Sequence, residues 1–471
     1  MKYITIILVL TFTNWTALAQ EFSEKVQEYI SHPAGRIAIN QVTLIDGTGG
    51  PVKASQTVLI EGNKIIRVGS GFVIPEEYQI LDGRGKTLIP GLVMLHEHMF
   101  YTRPQFEGWF DVAQMSFTFP RLYLAGGVTT LRTGGSVQPQ ADLNIKRWID
   151  EGRMTGPKMD VTSPHIDREG LSIASLGVVK NSEQVGVMVN YWADKGVTSF
   201  KVYNMITRED LKVCVREAHN RGFKVTGHLC SLTYREASDL GIDNLEHGFM
   251  ASSDFAKNKV TDQCHPFAAR AGLLEEDLNG STINALIDRL IENGTAVTTT
   301  PNVFEPYTGR EVVPGGGFIA LTPDYQEAVQ IRYDKRVNKD SASTALFQKN
   351  LQWLKRFYDK GGFLVAGTDP TGAGRTVAGY ANQRTVEILV EEGFPLEDAI
   401  KICSLNGAKF LHRDGEVGTI EVGKIADLVL IDGNLTEDIH LIRKMEVVFK
   451  DGLGFDSQKL FESVQGKVGL Y

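Results

Sequence analysis

The pattern of apolar and polar positions divides the chain into three stretches. Residues 36–90 carry short β-branched runs, RIAINQVTLID, QTVLIEGNKIIRVG and YQILDGRGKTLIP, separated by Asp-Gly, Glu-Gly-Asn and Gly-Arg-Gly. Runs of this kind between turn residues predict short strands. The same texture returns near the other end, in GTIEVGKIADLVLID and KMEVVFKDG. Two β-rich ends around a different middle predict one small sheet domain built from both.

The middle, roughly 91–410, alternates. Short apolar segments (GVTTLRT, KMDVTS, VTSFKVY, FKVTGH, IDNLEH, TAVTTT, FLVAGTD) are separated by longer ones such as REDLKVCVREAHNRG, SLTYREASDLG and NALIDRLIENG. The longer segments repeat apolar residues at three and four spacing and stop at glycine, as amphipathic helices do. About eight strand–helix repeats predict an α/β chain. A doubly wound sheet competes with a (β/α)8 barrel of the TIM type. Nearly every predicted strand ends in His, Lys, Arg or Asp, and a barrel gathers such ends at one mouth. The reading is therefore a TIM-type barrel over 91–412, with a small β-sandwich domain from 20–90 and 413–471. The segments GRTVAGY and VVPGGGF are expected as loops over the mouth.

Composition narrows the partners. The chain of 471 residues has a formal net charge of −8. It has no dense Lys/Arg block, so no nucleic-acid partner is expected. Residues 1–19, MKYITIILVLTFTNWTALA, combine an early Lys, an apolar stretch broken by Thr13, Asn14 and Thr16, and Ala17-Leu18-Ala19. This pattern predicts a cleaved signal peptide rather than a stable membrane anchor. The mature protein is expected to be exported, periplasmic or secreted. Four cysteines, Cys214, Cys230, Cys264 and Cys403, form no CxxC pair. A cysteine metal site is not indicated. A bridge such as Cys230 to Cys264 stays open, as does a homo-oligomer.

The chemistry starts at GLVMLHEHM, where His96 and His98 end an apolar strand. Alternate residues of a strand share a face about 6.6 Å apart, so two imidazoles can lean onto one cation. Further along, FKVTGH ends in His228, IDNLEH in His247 and FLVAGTD in Asp369, while Lys201 interrupts VTSFKVY. Each has a plain alternative. His247 fits a satisfied core histidine, Asp369 a helix cap and Lys201 a snorkelling side chain. All of those alternatives must hold at once, each at the end of a separate strand, and the joint reading favours a metal site.

This ordered set resembles the amidohydrolase superfamily of metal hydrolases. LIPGLVMLHEH is similar to its first strand, GGVTTLRTGG to its second and GIDNLEHG to its sixth. GEVGTIEVGKIADLVLIDGN is similar to the return into its small β domain. The imidazolonepropionase-like branch, with exported prolidase-like members, is the nearest likeness. The resemblance implies two divalent metal ions, with zinc the first expectation. His96, His98 and Asp369 would hold one and His228 and His247 the other. An N-carboxylated Lys201 would bridge them, since a bare ammonium has only donors. It further implies a metal-bridging hydroxide as nucleophile and Asp369 as the catalytic proton carrier.

The expected function is hydrolysis of an amide or cyclic amide in a small-molecule or peptide substrate, of dipeptide or N-acyl amino acid type. Lactone, ester and phosphotriester substrates stay open. A one-metal deaminase fits less well, because His228 is followed by Leu229, Cys230 and Ser231 with no nearby Glu, and Lys201 has no role there. A non-catalytic binder on the same scaffold is the reading from another class. His165 in SPHI, Tyr203 and Arg132 are substrate-binding candidates. Arg132 could instead brace the barrel bottom or pair with a carboxylate. Two departures bear on substrate. Cys230 stands where prolidase-like members carry a Tyr that holds the substrate carboxylate, and Thr133 stands where an Asp is common.

Overall fold

The computed structural model describes residues 22–102, 112–171, 177–336, 341–372 and 375–469. The expected signal peptide lies outside the described residues.

Eight parallel strand positions follow one another through the middle of the chain. They are β1 (Leu92–Glu97), β2 (Val128–Thr133), β3 (Lys158–Asp160 continued by Thr162–Asp167), β4 (Ser199–Val202), β5 (Lys224–Gly227), β6 (Asn244–Leu245), β7 (Ala296–Thr299) and β8 (Leu364–Ala366). Each pairs in parallel with the next. Past the end of β8, the amides of Thr368 and Asp369 donate to the His96 carbonyl of β1 at 3.2 and 3.0 Å. The fold is of the TIM-barrel α/β type. Strands β1 and β2 are buried at every position, as parallel strands covered on both faces are.

The helices form where the period predicted them. Arg208–Asn220 begins with a capping box: Thr207 Oγ1 accepts from the Asp210 amide at 3.2 Å, and Asp210 accepts from the Thr207 amide at 2.9 Å. Leu211, Cys214, Val215 and Ala218 share its buried face. SLTYREASDLG and NALIDRLIENG fall on the helices Tyr234–Asp239 and Ser281–Glu292.

Strands from both chain ends pair in one nine-stranded sheet. The two separate layers of a sandwich are not seen in its hydrogen bonding, and the long strand Gly35–Leu44 is the reason. It is irregular around Gln41, whose φ is +63°, and it pairs first with Gln79–Asp82 and then with Thr87–Pro90. One strand thus feeds two directions of a single bent sheet. Ile37, Ile39, Val58, Ile60, Leu428, Leu430 and Phe449 fill its core.

The two expected mouth loops are placed differently. VVPGGGF folds into a 3-10 segment, Pro314–Ala320, with Gly315 and Gly316 in the left-handed region. It packs on the described part of GRTVAGY: a Cβ at Gly315 would strike the Tyr380 carbonyl, and one at Gly317 would press on Val377 and Tyr380. Neither segment lines the cavity at the strand ends. Among the described residues, no helix is long and apolar enough to cross a membrane.

Candidate metal centre

His96, His98, Lys201, His228, His247 and Asp369 all line one cavity of about 440 Å³ at the C-terminal ends of the strands. His96 lies at the end of β1 and His98 just past it, Lys201 stands within β4 and His228 follows β5. His247 follows β6 and Asp369 follows β8. The rings of His96 and His98 have centroids 5.2 Å apart, those of His96 and His247 4.7 Å, and those of His228 and His247 4.5 Å. Asp369 Oδ1 lies 3.1 Å from His98 Nε2 and 3.5 Å from His96 Nε2. Ligand-type atoms of His96, His247 and Asp369 fall within 4.8 Å of one another.

The backbone is bent to aim two of these groups. His247 has φ +68° and Asp369 φ +55°, a region that side chains other than glycine rarely occupy. Such conformations persist where the surroundings impose them, and they cluster at functional sites. Glycines clear space for two of the rings. A Cβ at Gly134 would collide with the His96 ring, and one at Gly135 with that of His165. Gly135 also offers its carbonyl to His98 Nδ1 at 2.9 Å. This accounts for the Gly-Gly after β2.

Besides His98, two further imidazoles are anchored on their far sides. His96 Nδ1 meets Glu246 Oε2 at 2.7 Å, and His247 Nδ1 meets Thr300 Oγ1 at 2.8 Å. Hydrogen bonds of this kind fix the tautomer and orient a ligand ring. Burial lowers the pKa of His98, His228 and His247, bringing His228 to about 3. These three imidazoles are neutral and keep a lone pair for a cation. Burial opposes charge on His96 too, but the Glu246 and Asp369 carboxylates together outweigh it and raise that pKa. For Asp369, burial is outweighed by the close His96, His98 and His247 rings, and its carboxyl is held well below the usual range.

Lys201 supplies the test of whether a metal pair fits. Its Nζ is buried without a hydrogen-bond partner, and Glu246 Oε1 is 3.6 Å away. Burial brings its pKa down to about 8. An orphaned amine costs stability in a dry site. Beside neutral imidazoles and a carboxylate, it fits the position of a lysine converted to an oxygen ligand. The donor set suits a borderline cation such as zinc.

The substrate candidates separate. His165 and Tyr203 line the same cavity. The His165 ring stacks 6.1 Å from that of His98, and Tyr203 stands between His165 and His228 at 5.1 and 4.9 Å. Arg132 does not line the cavity. It is fully buried, donating to Leu95 O at 2.8 Å, Asn244 Oδ1 at 2.9 Å and Glu246 Oε1 at 2.8 Å. A salt bridge that deep is out of a substrate's reach, so Arg132 is a brace for Glu246.

Sequence reasoning passed over Glu246 and Glu97. Each is an acid beside a ligand-type histidine on an otherwise apolar strand, and that position is a readable signal. Glu97 accepts from Thr368 Oγ1 at 2.5 Å and Asn382 Nδ2 at 3.1 Å, and burial pushes its carboxyl up to about 8. Cys230 and Cys264 form a disulfide with Cα atoms 4.8 Å apart, whereas Cys214 and Cys403 are buried free thiols. Another acidic group with His440, at Glu387 and Glu391, is already matched by guanidinium groups. Arg443 Nε donates to Glu387 at 2.6 Å, and Arg384 Nη2 to Glu391 at 3.0 Å.

Comparison with known proteins agrees with this geometry. Residues 87–454 match the amidohydrolase family. The chain is similar to an imidazolonepropionase of Alkaliphilus metalliredigens (strain QYMF), 21% identical over 420 residues, covering 84% of this chain and 90% of that protein. Among solved structures it is similar to a Xaa-Pro dipeptidase with bound methionine in the active site (TM-score 0.66, 22% identity, 90% of this chain and 100% of that one). It is also similar to molinate hydrolase (TM-score 0.65, 19% identity, 93% and 98%). The chain belongs to the amidohydrolase family, hydrolases that act on carbon–nitrogen bonds.

Proposed function

We propose that the protein is a binuclear metal-dependent hydrolase that cleaves an amide or cyclic amide bond in a dipeptide or N-acyl amino acid type of substrate. The observation that carries this reading is the convergence of six side chains from five separate stretches on one cavity, with the Lys201 amine left without a hydrogen-bond partner among them. His96, His98 and Asp369 would hold one cation and His228 and His247 the other, and Lys201, as a carbamate, would supply an oxygen ligand. Bound metals supply a water of lowered pKa and a Lewis acid for the substrate carbonyl.

The chain's own groups do the rest. Asp369 takes a proton from the attacking water and delivers it to the leaving nitrogen. It starts ionised, as a base must. His165, kept neutral chiefly by burial, has an N–H to donate to a substrate carbonyl or carboxylate. Burial keeps the Tyr203 phenol protonated, so it is a second donor. The names of the similar proteins span unlike substrates, and the amide class is argued from the site. We also take 20–90 with 413–471 as a small β domain beside the barrel, and the N-terminal segment as a signal for export.

Elemental analysis of protein grown with zinc, with a hydrolysis screen over dipeptides, N-acyl amino acids and cyclic amides, tests the reading. Two metal equivalents, lost on Lys201→Ala, support it. Metal-free protein, or metal content indifferent to Lys201→Ala, overturns it.

A further inference from the structure

A second cavity, of about 530 Å³, adjoins the metal-site cavity, and His228, Met250, Phe304 and Tyr307 are walls of both. The second compartment therefore lies directly beside the metal site, on the far side of these shared walls. The new walls are mainly apolar: Met205, Leu229, Leu273 and Leu346, closed by the Cys230–Cys264 disulfide. Asn204, Ser252, Arg270 and Ser343 are its further polar walls. Arg270 is on the exposed side and donates to Ser343 Oγ at 3.1 Å. A volume of this size accommodates a substantial part of a small-molecule ligand. Filling it with an apolar group removes that surface from water, which favours binding.

We propose that this compartment is a specificity subsite that takes an uncharged alkyl or aryl group on one flank of the scissile amide. The substrate class is thereby narrowed from dipeptides and N-acyl amino acids at large to amides with one bulky apolar flank. The inference rests on the amide-hydrolase reading for the bond that is cleaved, and on the shared walls of the two cavities for the flank. Ala269 and Ser343 lie on the second cavity and not on the first. They are therefore the positions at which the compartment can be filled without touching the metal site.

The test is calorimetric binding to the zinc-loaded protein carrying Asp369→Asn. The probes are N-acetylglycine, N-octanoylglycine and N-acetylphenylalanine, of which the last two extend opposite flanks. One extended probe is expected to bind about tenfold tighter or more than N-acetylglycine. Adding Ala269→Trp, or Ser343→Phe from the other wall, should remove that gain with metal content unchanged. Equal binding of all three probes overturns the proposal, as does a gain that survives both fillings. Turnover of the same probes by the protein with Asp369 intact separates the two readings. If none is hydrolysed while the binding preference holds, the amide chemistry fails and the subsite stands. If all are hydrolysed alike without a binding preference, the subsite fails and the chemistry stands.

Discussion

Glu246 Oε2 accepts a hydrogen bond from His96 Nδ1 at 2.7 Å. Burial alone would favour a neutral Glu246, but Lys201, His96 and Arg132 outweigh it and hold the carboxylate ionised. An ionised acceptor at Nδ1 fixes the proton there and leaves the Nε2 lone pair for the cavity, where Asp369 Oδ1 stands 3.5 Å away. Partners behind a ligating histidine typically change metal affinity about 10–100-fold when mutated. Glu246→Gln should weaken metal binding by that factor in a chelator competition with the fold intact. Wild-type affinity in the variant would refute the orienting role.

Asp369 is placed to be both a ligand and a proton carrier, and one substitution separates the two. Asn keeps an oxygen for the cation and cannot take a proton. General acid–base catalysis contributes about 10²–10⁴-fold. Asp369→Asn should lower kcat within that range while elemental analysis finds most of the metal retained. Near-normal turnover would remove the proton-transfer role from Asp369.

The Cys230–Cys264 bridge closes a stretch of 34 positions and begins two residues after His228. A loop of that length gives a stabilisation of about 3–4 kcal/mol in the chain-entropy account. The double change Cys230→Ser with Cys264→Ser should therefore lower Tm by several degrees. Protein denatured without reductant should titrate two thiols, those of Cys214 and Cys403. Four reactive thiols would mean that the bridge is absent.

Much of this was legible in the residues, for a physical reason. Strand ends in a TIM-type fold point at a shared mouth, so polar residues ending otherwise apolar runs mark the site before any coordinates exist. His96, His98, His228, His247 and Asp369 stand out that way, and Lys201 as a charge inside an otherwise apolar strand. The pattern says nothing about what lies behind the ligands. Arg132 ends β2 just as the candidate ligands end their strands, yet its long side chain turns toward Leu95 O and Glu246 instead of the cavity. The period of apolar residues cannot encode that choice of rotamer. The bend at Gln41, which makes one sheet of an expected sandwich, was hidden similarly. A residue adopting φ +63° carries no composition signal when it is not glycine. The second cavity arises from segments far apart in the chain, and only their packing reveals it.

Asp167 gives a pH test that involves no proposed ligand. It ends β3, buried, with Oδ1 accepting from the Met205 amide at 2.6 Å and Oδ2 without a partner. Burial is the main reason that its carboxyl is pushed up to about 7 from an ordinary 3.8. A folded pKa above the unfolded one means that the native state binds the proton more tightly. The group's contribution is complete below pH 3.8 and is lost as pH rises through about 7. Asp167→Asn removes the ionisation and preserves an acceptor for Met205. The Tm of the variant minus that of the wild type should rise by about 1–3 °C between pH 5 and pH 8. Using this difference cancels the pH dependence of metal binding common to both proteins. A difference that stays flat, or falls, across that interval would show that Asp167 is ionised at the same pH folded and unfolded.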